Sequence, residues 1–193
     1  MKRKIILASK SKPRKTILAT TGLKFEVQKS RYKEDMSEKI PAHKLVQKLA
    51  LGKAQNVAKK HKNAIIIGAD SFVVLDKEFL GKPHTAQKAK KMLKKLSGKK
   101  HQLITGIAII DTKKNKIITD YNITEVYFKK LSEKEIDLYI KTKEPFKKAG
   151  GYAVQGIGSV LIEKINGNHT NVIGLPTNKI YKHLLKLGVN ILE

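Results

Sequence analysis

The stretch AIIIGADSFVVLDKEFLGKP, residues 64–83, decides how the chain is organised. It opens with an apolar run, Ala64 to Gly68, which is typical of a strand buried on both faces of a sheet. Asp70 follows this run, and a second apolar run, Phe72 to Leu75, comes at once. We therefore expect two strands, with Asp70 at the carboxyl end of the first.

The order of the predicted elements favours an α/β protein with a mixed sheet, because strands alternate with helices throughout. The expected strands are Lys4–Ala8, Phe25–Gln28, Ala64–Ala69, Phe72–Leu75, His101–Ile110, Lys116–Phe128 and Val160–Ile165. The first expected helix follows the turn SKSKPRK and extends to Thr21. The other expected helices are Ala42–Lys60, Thr85–Leu96, Ser132–Ile140 and Pro176–Gly188. At 193 residues, the chain is long enough for one compact core.

Composition restricts the class of protein. The chain has no cysteine, so disulfides and thiolate zinc sites are not expected, and a reducing cytoplasm fits. No apolar segment approaches the roughly 20 residues of a membrane span, so no membrane partner is expected. The formal charge is +25, from 41 basic and 16 acidic residues. This charge indicates either a lysine-rich solvated surface or a polyanionic partner, and the scarcity of arginine argues against nucleic acid.

Two charged side chains interrupt apolar patterns. Asp70, at the end of a predicted strand, can bind a magnesium ion or accept a proton from water, or it can cap a turn. Lys53 falls in the middle of the apolar face of the predicted helix Ala42–Lys60. Its ammonium group either extends to solvent or binds an anion, and Glu34 and Asp70 are candidate neighbours.

Two loops have the composition of nucleotide-binding segments. The turn ASKSKPRK places Ser9, Ser11 and Arg14 between a strand and a helix, where they could bind a phosphate. The glycine-rich segment AGGYAVQGIGS carries Gln155, whose amide can both donate to a base and accept from it. Each segment is also consistent with an ordinary turn, since neither is a Walker loop or a dinucleotide fingerprint.

Together, these motifs resemble those of the Maf (septum formation) family of nucleoside triphosphate pyrophosphatases over essentially the whole chain. The series comprises LASKSKPRKTIL, Glu34 in RYKED, Lys53 in LGKA, IIIGADSFV, LGKP, LSGKKHQLITGIAI and KEPFKKAGGYAVQGIGSVLIEKINGNHTNVIGLP. Because their order and spacing match as well, the chain is identified as a member of this family.

The resemblance implies a fold and an activity. The fold would be a mixed, elongated α/β sheet flanked by helices, with two lobes around a central cleft, similar to inosine triphosphate pyrophosphatases. Residues 1–193 would form a single domain of this kind. The activity would be hydrolysis of a nucleoside triphosphate to the monophosphate and pyrophosphate, with Mg²⁺ or Mn²⁺ as cofactor. Members often form homodimers.

The resemblance also implies roles for individual residues. The proton-accepting aspartate falls on Asp70 and the second acid on Glu34, and these two would bind the metal. The phosphate-facing lysines fall on Lys53 and Lys82. A glutamine at the position of Gln155 is typical of the subgroup that acts on dTTP and UTP, whereas the 7-methyl-GTP subgroup carries an acid there.

Three positions depart from the family pattern. The usual SPRR motif aligns with SKPR, so the first family arginine, implicated in selectivity, falls on Pro13. Either Lys12 or Arg14 replaces it, or the loop is shifted in register. Ser71 stands where the family has threonine and keeps a hydroxyl near the base. Lys147 stands where the family has aspartate.

These departures keep two other functions open. One is a pyrophosphatase of the same family that acts on 7-methyl-GTP or another purine triphosphate. The other is a non-catalytic, basic nucleic-acid-binding regulator. The expected role, in nucleotide-pool sanitation or septum control, depends on residues 34, 53, 70 and 82 lying around one polyphosphate.

Overall fold

The computed structural model describes residues 3–193, which contain seven strands, six α-helices and three short 3₁₀ turns. The strands are β1 Lys4–Leu7, β2 Glu26–Val27, β3 Ala64–Leu75, β4 Glu78–Leu80, β5 Lys100–Asp111, β6 Lys116–Phe128 and β7 Ile162–Asn166. The α-helices are α1 Lys12–Ala19, α2 Ala42–Ala58, α3 Ala86–Leu96, α4 Glu133–Lys141, α5 His169–Val172 and α6 Thr177–Leu185. The 3₁₀ turns are Glu144–Lys147, Ala149–Gly151 and Ile157–Leu161.

The strands form a sheet in the order β2-β1-β3-β5-β6-β7, with β4 paired to β3. β1 runs parallel to β2 and β3, whereas β4 is antiparallel to β3 and β7 is antiparallel to β6. The predicted α/β fold with a mixed sheet is confirmed. In the part of the chain that the structure describes, no helix is both long and apolar enough to cross a membrane.

The chain divides into two compact units. Unit 1 comprises the residues up to Ser71, Thr105–Asn122 and Gly174–Glu193. Unit 2 comprises Phe72–Ile104 and Ile123–Ile173. Glu34, Lys53 and Asp70 therefore belong to unit 1.

In unit 1 the sheet is buried on both faces, because alternate residues of β1, β3 and β5 point to opposite sides. One side packs on α1 and α6, with a core that includes Leu7, Leu18, Ile65, Ile67, Ile109 and Leu184. The other packs on α2, with a core that includes Ile6, Ala50, Ala54, Val57, Ile66 and Ala108. Burial on both faces explains why β3 starts as an unbroken apolar run.

Unit 2 has a core of its own. The parts of β3, β5 and β6 that belong to unit 2 pack there with α3 and α4. Its buried members include Val73, Leu93, Leu96, Phe128, Ile136 and Tyr152. The predicted helix starts in this unit are confirmed, since Thr85 caps α3 and Ser132 caps α4. Ser132 and Glu135 form the predicted capping box.

The prediction that Asp70 ends a strand is wrong. The two predicted strands are one continuous strand, β3, with Asp70 in its interior. The polar pair does not end the strand because Lys53 binds the side chain of Asp70, and Arg14 and Thr105 bind the hydroxyl of Ser71. A buried polar group is tolerated where it is hydrogen-bonded.

Helix α1 begins earlier than predicted, inside the turn SKSKPRK. The Oγ of Ser11 accepts a hydrogen bond from the Arg14 backbone N–H at 3.5 Å and caps the helix at Lys12. Pro13 lies in the first turn, where the missing N–H costs no intrahelical hydrogen bond. Serine and proline thus start the helix.

Candidate active site

Lys53 of α2 binds two carboxylates in unit 1. Its Nζ lies 2.6 Å from Asp70 Oδ1 and 2.9 Å from Glu34 Oε1. The side chains of Lys53 and Asp70 are only 13% and 11% exposed. The structure therefore brings together three of the predicted site residues, and the ammonium group of Lys53 binds anions rather than extending into solvent.

Two glycines let α2 lie directly on the sheet. A Cβ atom on Gly68 of β3 would overlap the backbone oxygen of Ala50, and one on Gly106 of β5 would overlap the backbone of Val46. Such contacts would force the helix away from the strands. Because Lys53 lies within one turn of Ala50, this close packing places its side chain against Asp70.

The segment that carries Glu34 is docked on the same helix. The ring of Tyr32 lies over Gly52, where a Cβ atom would overlap it. Asn56 Oδ1 accepts hydrogen bonds from the Arg31 backbone N–H at 2.8 Å and from Ser30 Oγ at 3.3 Å. These contacts hold a segment without regular structure close to Lys53. Neither Asn56 nor Tyr32 stands out in the sequence.

Arg14 of α1 fixes the backbone of β3 around Asp70. Its guanidinium donates to the Ala69 carbonyl oxygen and to Ser71 Oγ, both at 2.9 Å, and to the Gly174 carbonyl oxygen at 2.8 Å. Burial lowers the pKa of Arg14, and the negative charges of Asp70 and Glu34 oppose that shift. Arg14 therefore lies in the field of both carboxylates and holds the residues on either side of Asp70.

Ser9 and Ser11 shape the turn before α1. Ser9 Oγ accepts from the Ser11 backbone N–H at 3.2 Å, and Ser11 Oγ caps the helix. Each serine oxygen thus accepts a local hydrogen bond, and its hydroxyl can still donate one. Ser71, in contrast, exchanges a hydrogen bond with Thr105 Oγ1 at 2.9 Å while it accepts from Arg14.

Asp70 and Glu34 are candidate ligands for a divalent cation. Asp70 Oδ2 is buried and has no hydrogen-bond partner among residues 3–193. Leaving such an atom unpaired costs about 1–3 kcal/mol. In the same range, no group of three or more His, Cys, Asp or Glu could hold a metal by itself. Asp70 and Glu34 nevertheless fit Mg²⁺ or Mn²⁺, which is bound by one or two carboxylates together with substrate phosphates.

Lys82 and Gln155 lie in unit 2 and are both exposed. Lys82 follows Gly81, whose carbonyl oxygen accepts a hydrogen bond from the Gly150 backbone N–H at 3.0 Å. Gln155 lies in a turn, and its side-chain amide makes no hydrogen bond to any residue from 3 to 193. Their convergence with Glu34, Lys53 and Asp70 on one substrate stays a prediction.

The sequence of the chain matches a known protein family. The sequence model of the family described as "Maf-like protein" matches residues 4–187. This chain belongs to the Maf family. Solved structures that match this chain include that of the Staphylococcus aureus Ham1 protein, which aligns with a TM-score of 0.49 and 14% identity over 83% of this chain and 80% of that one.

Relatives within the Maf family match over most of their length. A dTTP/UTP pyrophosphatase of Clostridioides difficile (strain 630) is 46% identical over 177 residues, 91% of each chain. One of Thermoanaerobacter sp. (strain X514) is 48% identical over 92% of this chain and 93% of its own. One of Desulforamulus reducens (strain ATCC BAA-1160 / DSM 100696 / MI-1) is 44% identical over 98% of this chain and 99% of its own.

Proposed function

We propose that this Maf protein hydrolyses dTTP and UTP to the nucleoside monophosphate and pyrophosphate. The observation that carries this proposal is the cluster in unit 1, where Lys53 lies between Glu34 and Asp70. One oxygen of Asp70 is engaged by Lys53 and the other has no partner among the described residues. The names of the relatives support the choice of dTTP and UTP as substrates.

Asp70 acts as the general base in this proposal. Hydrolysis between the α- and β-phosphates requires an oriented water, an acceptor for its proton and a stabilised leaving group. Lys53 holds Oδ1 of Asp70, so Oδ2 is the atom that accepts the proton. The water oxygen forms a bond to the α-phosphorus, the bond to the bridging oxygen breaks, and pyrophosphate leaves.

Basic groups and N–H donors bind the triphosphate. The start of α1 offers its first backbone N–H groups and the hydroxyls of Ser9 and Ser11. Arg14 supports Asp70 through the β3 backbone, and it contributes charge to the phosphates. Lys53 and Lys82 contribute ammonium groups. Pro13 offers no side-chain donor, so Arg14 is the candidate for the charge that the family places at that turn.

A divalent cation, Mg²⁺ or Mn²⁺, bound by Glu34, and by Asp70 through water so that Oδ2 can accept the proton, would neutralise charge on the phosphate oxygens. This part of the proposal has a test that does not depend on turnover. Binding of Mn²⁺, followed by electron paramagnetic resonance in the presence of a non-hydrolysable UTP analogue, should weaken in Glu34→Gln and in Asp70→Asn. Equal binding by both variants and the wild type would contradict the ligand assignment.

Gln155 is the proposed contact for the base. Its amide can donate to a carbonyl oxygen of uracil or thymine and accept from the ring N–H. Ser71 is hydrogen-bonded to Arg14 and Thr105, which supports a positioning role for Ser71 rather than direct base contact. The cytoplasmic location, the homodimer and the single domain stay predictions.

The experiment that tests the function is a panel of triphosphates. Pyrophosphate release from dTTP, UTP, CTP, ATP, GTP and 7-methyl-GTP is measured with Mg²⁺ or Mn²⁺. We expect dTTP and UTP to be hydrolysed fastest. In ¹⁸O-labelled water the label should enter the monophosphate, because water attacks the α-phosphorus. Preference for a purine would contradict the substrate assignment, and tight RNA or DNA binding with no turnover would contradict the enzymatic one.

A further inference from the structure

A partly buried carboxylate network in unit 2 has no part in the mechanism above. The carboxylate of Glu144 accepts hydrogen bonds from Tyr139 O–H and from the Gly158 backbone N–H, both at 2.8 Å. It also accepts from the Ile157 backbone N–H at 3.2 Å. Glu144 thus caps the start of the 3₁₀ turn Ile157–Leu161, whose first N–H groups have no partner within the turn.

The loop before this cap is shaped to fit the carboxylate. A Cβ atom on Gly156 would overlap Glu144 Oε1, so a larger residue at this position would displace the carboxylate. The hydroxyl of Tyr139, which donates to Glu144, also accepts from the Ala153 backbone N–H at 3.2 Å. The Tyr139–Glu144 pair therefore holds the loop on both sides of Gln155.

A second contact fixes the start of the same loop. The hydroxyl of Tyr152 lies 2.7 Å from Nε2 of His101, and both side chains are buried. Burial and the charge of Glu144 raise the pKa of Tyr139, so its hydroxyl stays protonated and keeps donating to Glu144. Gln155 itself is exposed, in the turn between these anchored residues.

We propose that Glu144 is a positioning residue that fixes Gln155 for recognition of the nucleotide base. The inference rests on the proposed function, because it takes Gln155 as the base contact. A glutamine at position 144 cannot serve all three donors, since its amide nitrogen is itself a donor. Loss of the cap frees the loop and lowers affinity for the base, while the polyphosphate groups of unit 1 are untouched.

Binding without turnover separates these effects. Dissociation constants are measured for α,β-methylene-UTP, which contains the base, and for inorganic tripolyphosphate, which does not. In Glu144→Gln we expect the analogue to bind about tenfold more weakly, the effect of one lost charge-assisted hydrogen bond. Tripolyphosphate should bind as it does to the wild type. Amide hydrogen exchange at residues 156–158 should be faster.

The matched control is Glu163→Gln, which removes the same charge from an exposed position on β7. It should bind both compounds like the wild type. Tyr139→Phe keeps the ring in the core but loses the hydroxyl, and we expect it to weaken analogue binding about as much as Glu144→Gln does, because the lost hydrogen bond to the carboxylate is also charge-assisted. If Glu144→Gln does not fold, analogue binding by Tyr139→Phe decides whether the Tyr139–Glu144 pair positions the loop.

Two outcomes would overturn the inference. Equal weakening of analogue and tripolyphosphate would mean that Glu144 only supports the fold, and unchanged binding of both would mean that the loop does not depend on it. Failure of the proposed function is a separate result, because it appears as a wild type that releases no pyrophosphate. Even then, the binding measurements show whether Glu144 affects binding of the analogue.

Discussion

The two units hold their candidate site residues in different ways. In unit 1, Asp70 lies in a strand, Lys53 lies in a helix that packs directly on the sheet, and Arg14 lies in a second helix. In unit 2, Gln155 lies in a turn that is anchored mainly through backbone N–H groups. Regular elements fix side chains more closely than loops do. Under the proposed function, this difference lets the loop change base preference while the reacting groups stay in place.

The largest effect is expected for Asp70→Asn, which keeps the size of the side chain but removes its basicity. We expect kcat to fall by about a thousandfold, within the range for loss of a general base. The measurement is pyrophosphate release from UTP at saturating substrate.

Asp76→Asn is the matched control for this change. Asp76 is exposed in the turn between β3 and β4 and has a φ of 49°, a conformation that asparagine also adopts. It should leave kcat unchanged. If Asp70→Asn turned over at the wild-type rate, the reactive group would not be in unit 1 at Asp70, and the comparison of the two units would fail.

Charged residues in apolar patterns are the part of the site that the sequence can predict. Asp70 and Lys53 both interrupt hydrophobic periodicity, and the structure joins them. Glu34 has no such signal: it was only a candidate neighbour of Lys53, and its role as the second acid came from the resemblance. The contacts of Arg14 could not be predicted, because its partners Ala69 and Gly174 are 55 and 160 positions away in the chain. Pattern reasoning detects local periodicity, whereas these contacts depend on tertiary packing.

The same limit explains the errors in the fold. Asp70 and Ser71 suggested a break in β3, but long-range hydrogen bonds satisfy both side chains and the strand continues. The caps Thr85 and Ser132 were predicted correctly because a cap involves only residues three or four apart. Local rules therefore give element starts, and tertiary contacts decide whether a polar pair ends a strand.

The support of the unit 2 loop predicts a dependence of stability on pH. Burial lowers the pKa of His101 from 6.5 to about 4. The unfolded chain therefore takes up a proton at higher pH than the folded one. The contribution of neutral His101 is fully present above pH 6.5 and is lost as the pH falls to about 4. It amounts to about 3 kcal/mol of the free energy of unfolding.

Urea unfolding between pH 7 and pH 4 measures this dependence. His101→Gln is the comparison, because it removes the titrating group; its free energy of unfolding should fall less steeply over that range. An equal slope in both proteins would mean that His101 does not titrate in this way. Analogue binding should weaken over the same range if protonation loosens Tyr152, which would tie the loop of unit 2 to pH.

Two glycines of unit 1 test how α2 positions Lys53 and Glu34. Gly68→Ala should lower the free energy of unfolding by about 1–3 kcal/mol, because its methyl group meets the backbone of α2. Gly52→Ala should leave it unchanged or raise it by up to about 1 kcal/mol, since alanine favours the helix. Its methyl group instead displaces Tyr32 and the segment that carries Glu34.

Thermal unfolding and Mn²⁺ binding distinguish the two variants. We expect Gly68→Ala to unfold at lower temperature, and Gly52→Ala to bind Mn²⁺ more weakly with no loss of stability. Normal Mn²⁺ binding by Gly52→Ala would show that Glu34 does not need the Tyr32 contact. Gly68→Ala therefore tests the packing of α2 on the sheet, and Gly52→Ala tests the docking of the segment that carries the metal ligand Glu34.

The smallest effect concerns the two lysines with the same predicted role. Lys53 is 13% exposed and paired, whereas Lys82 is exposed. Lys82→Gln should lower kcat/KM about threefold at ~0.1 M KCl and hardly at ~1 M, because the Debye length shrinks from ~10 Å to ~3 Å. The loss in Lys53→Gln should not depend on salt.

Lys134→Gln, an exposed control in unit 2, should match the wild type at both concentrations. If Lys82→Gln lost the same factor at both, Lys82 would make direct, desolvated contact with phosphate, and the contrast between the lysines would fail.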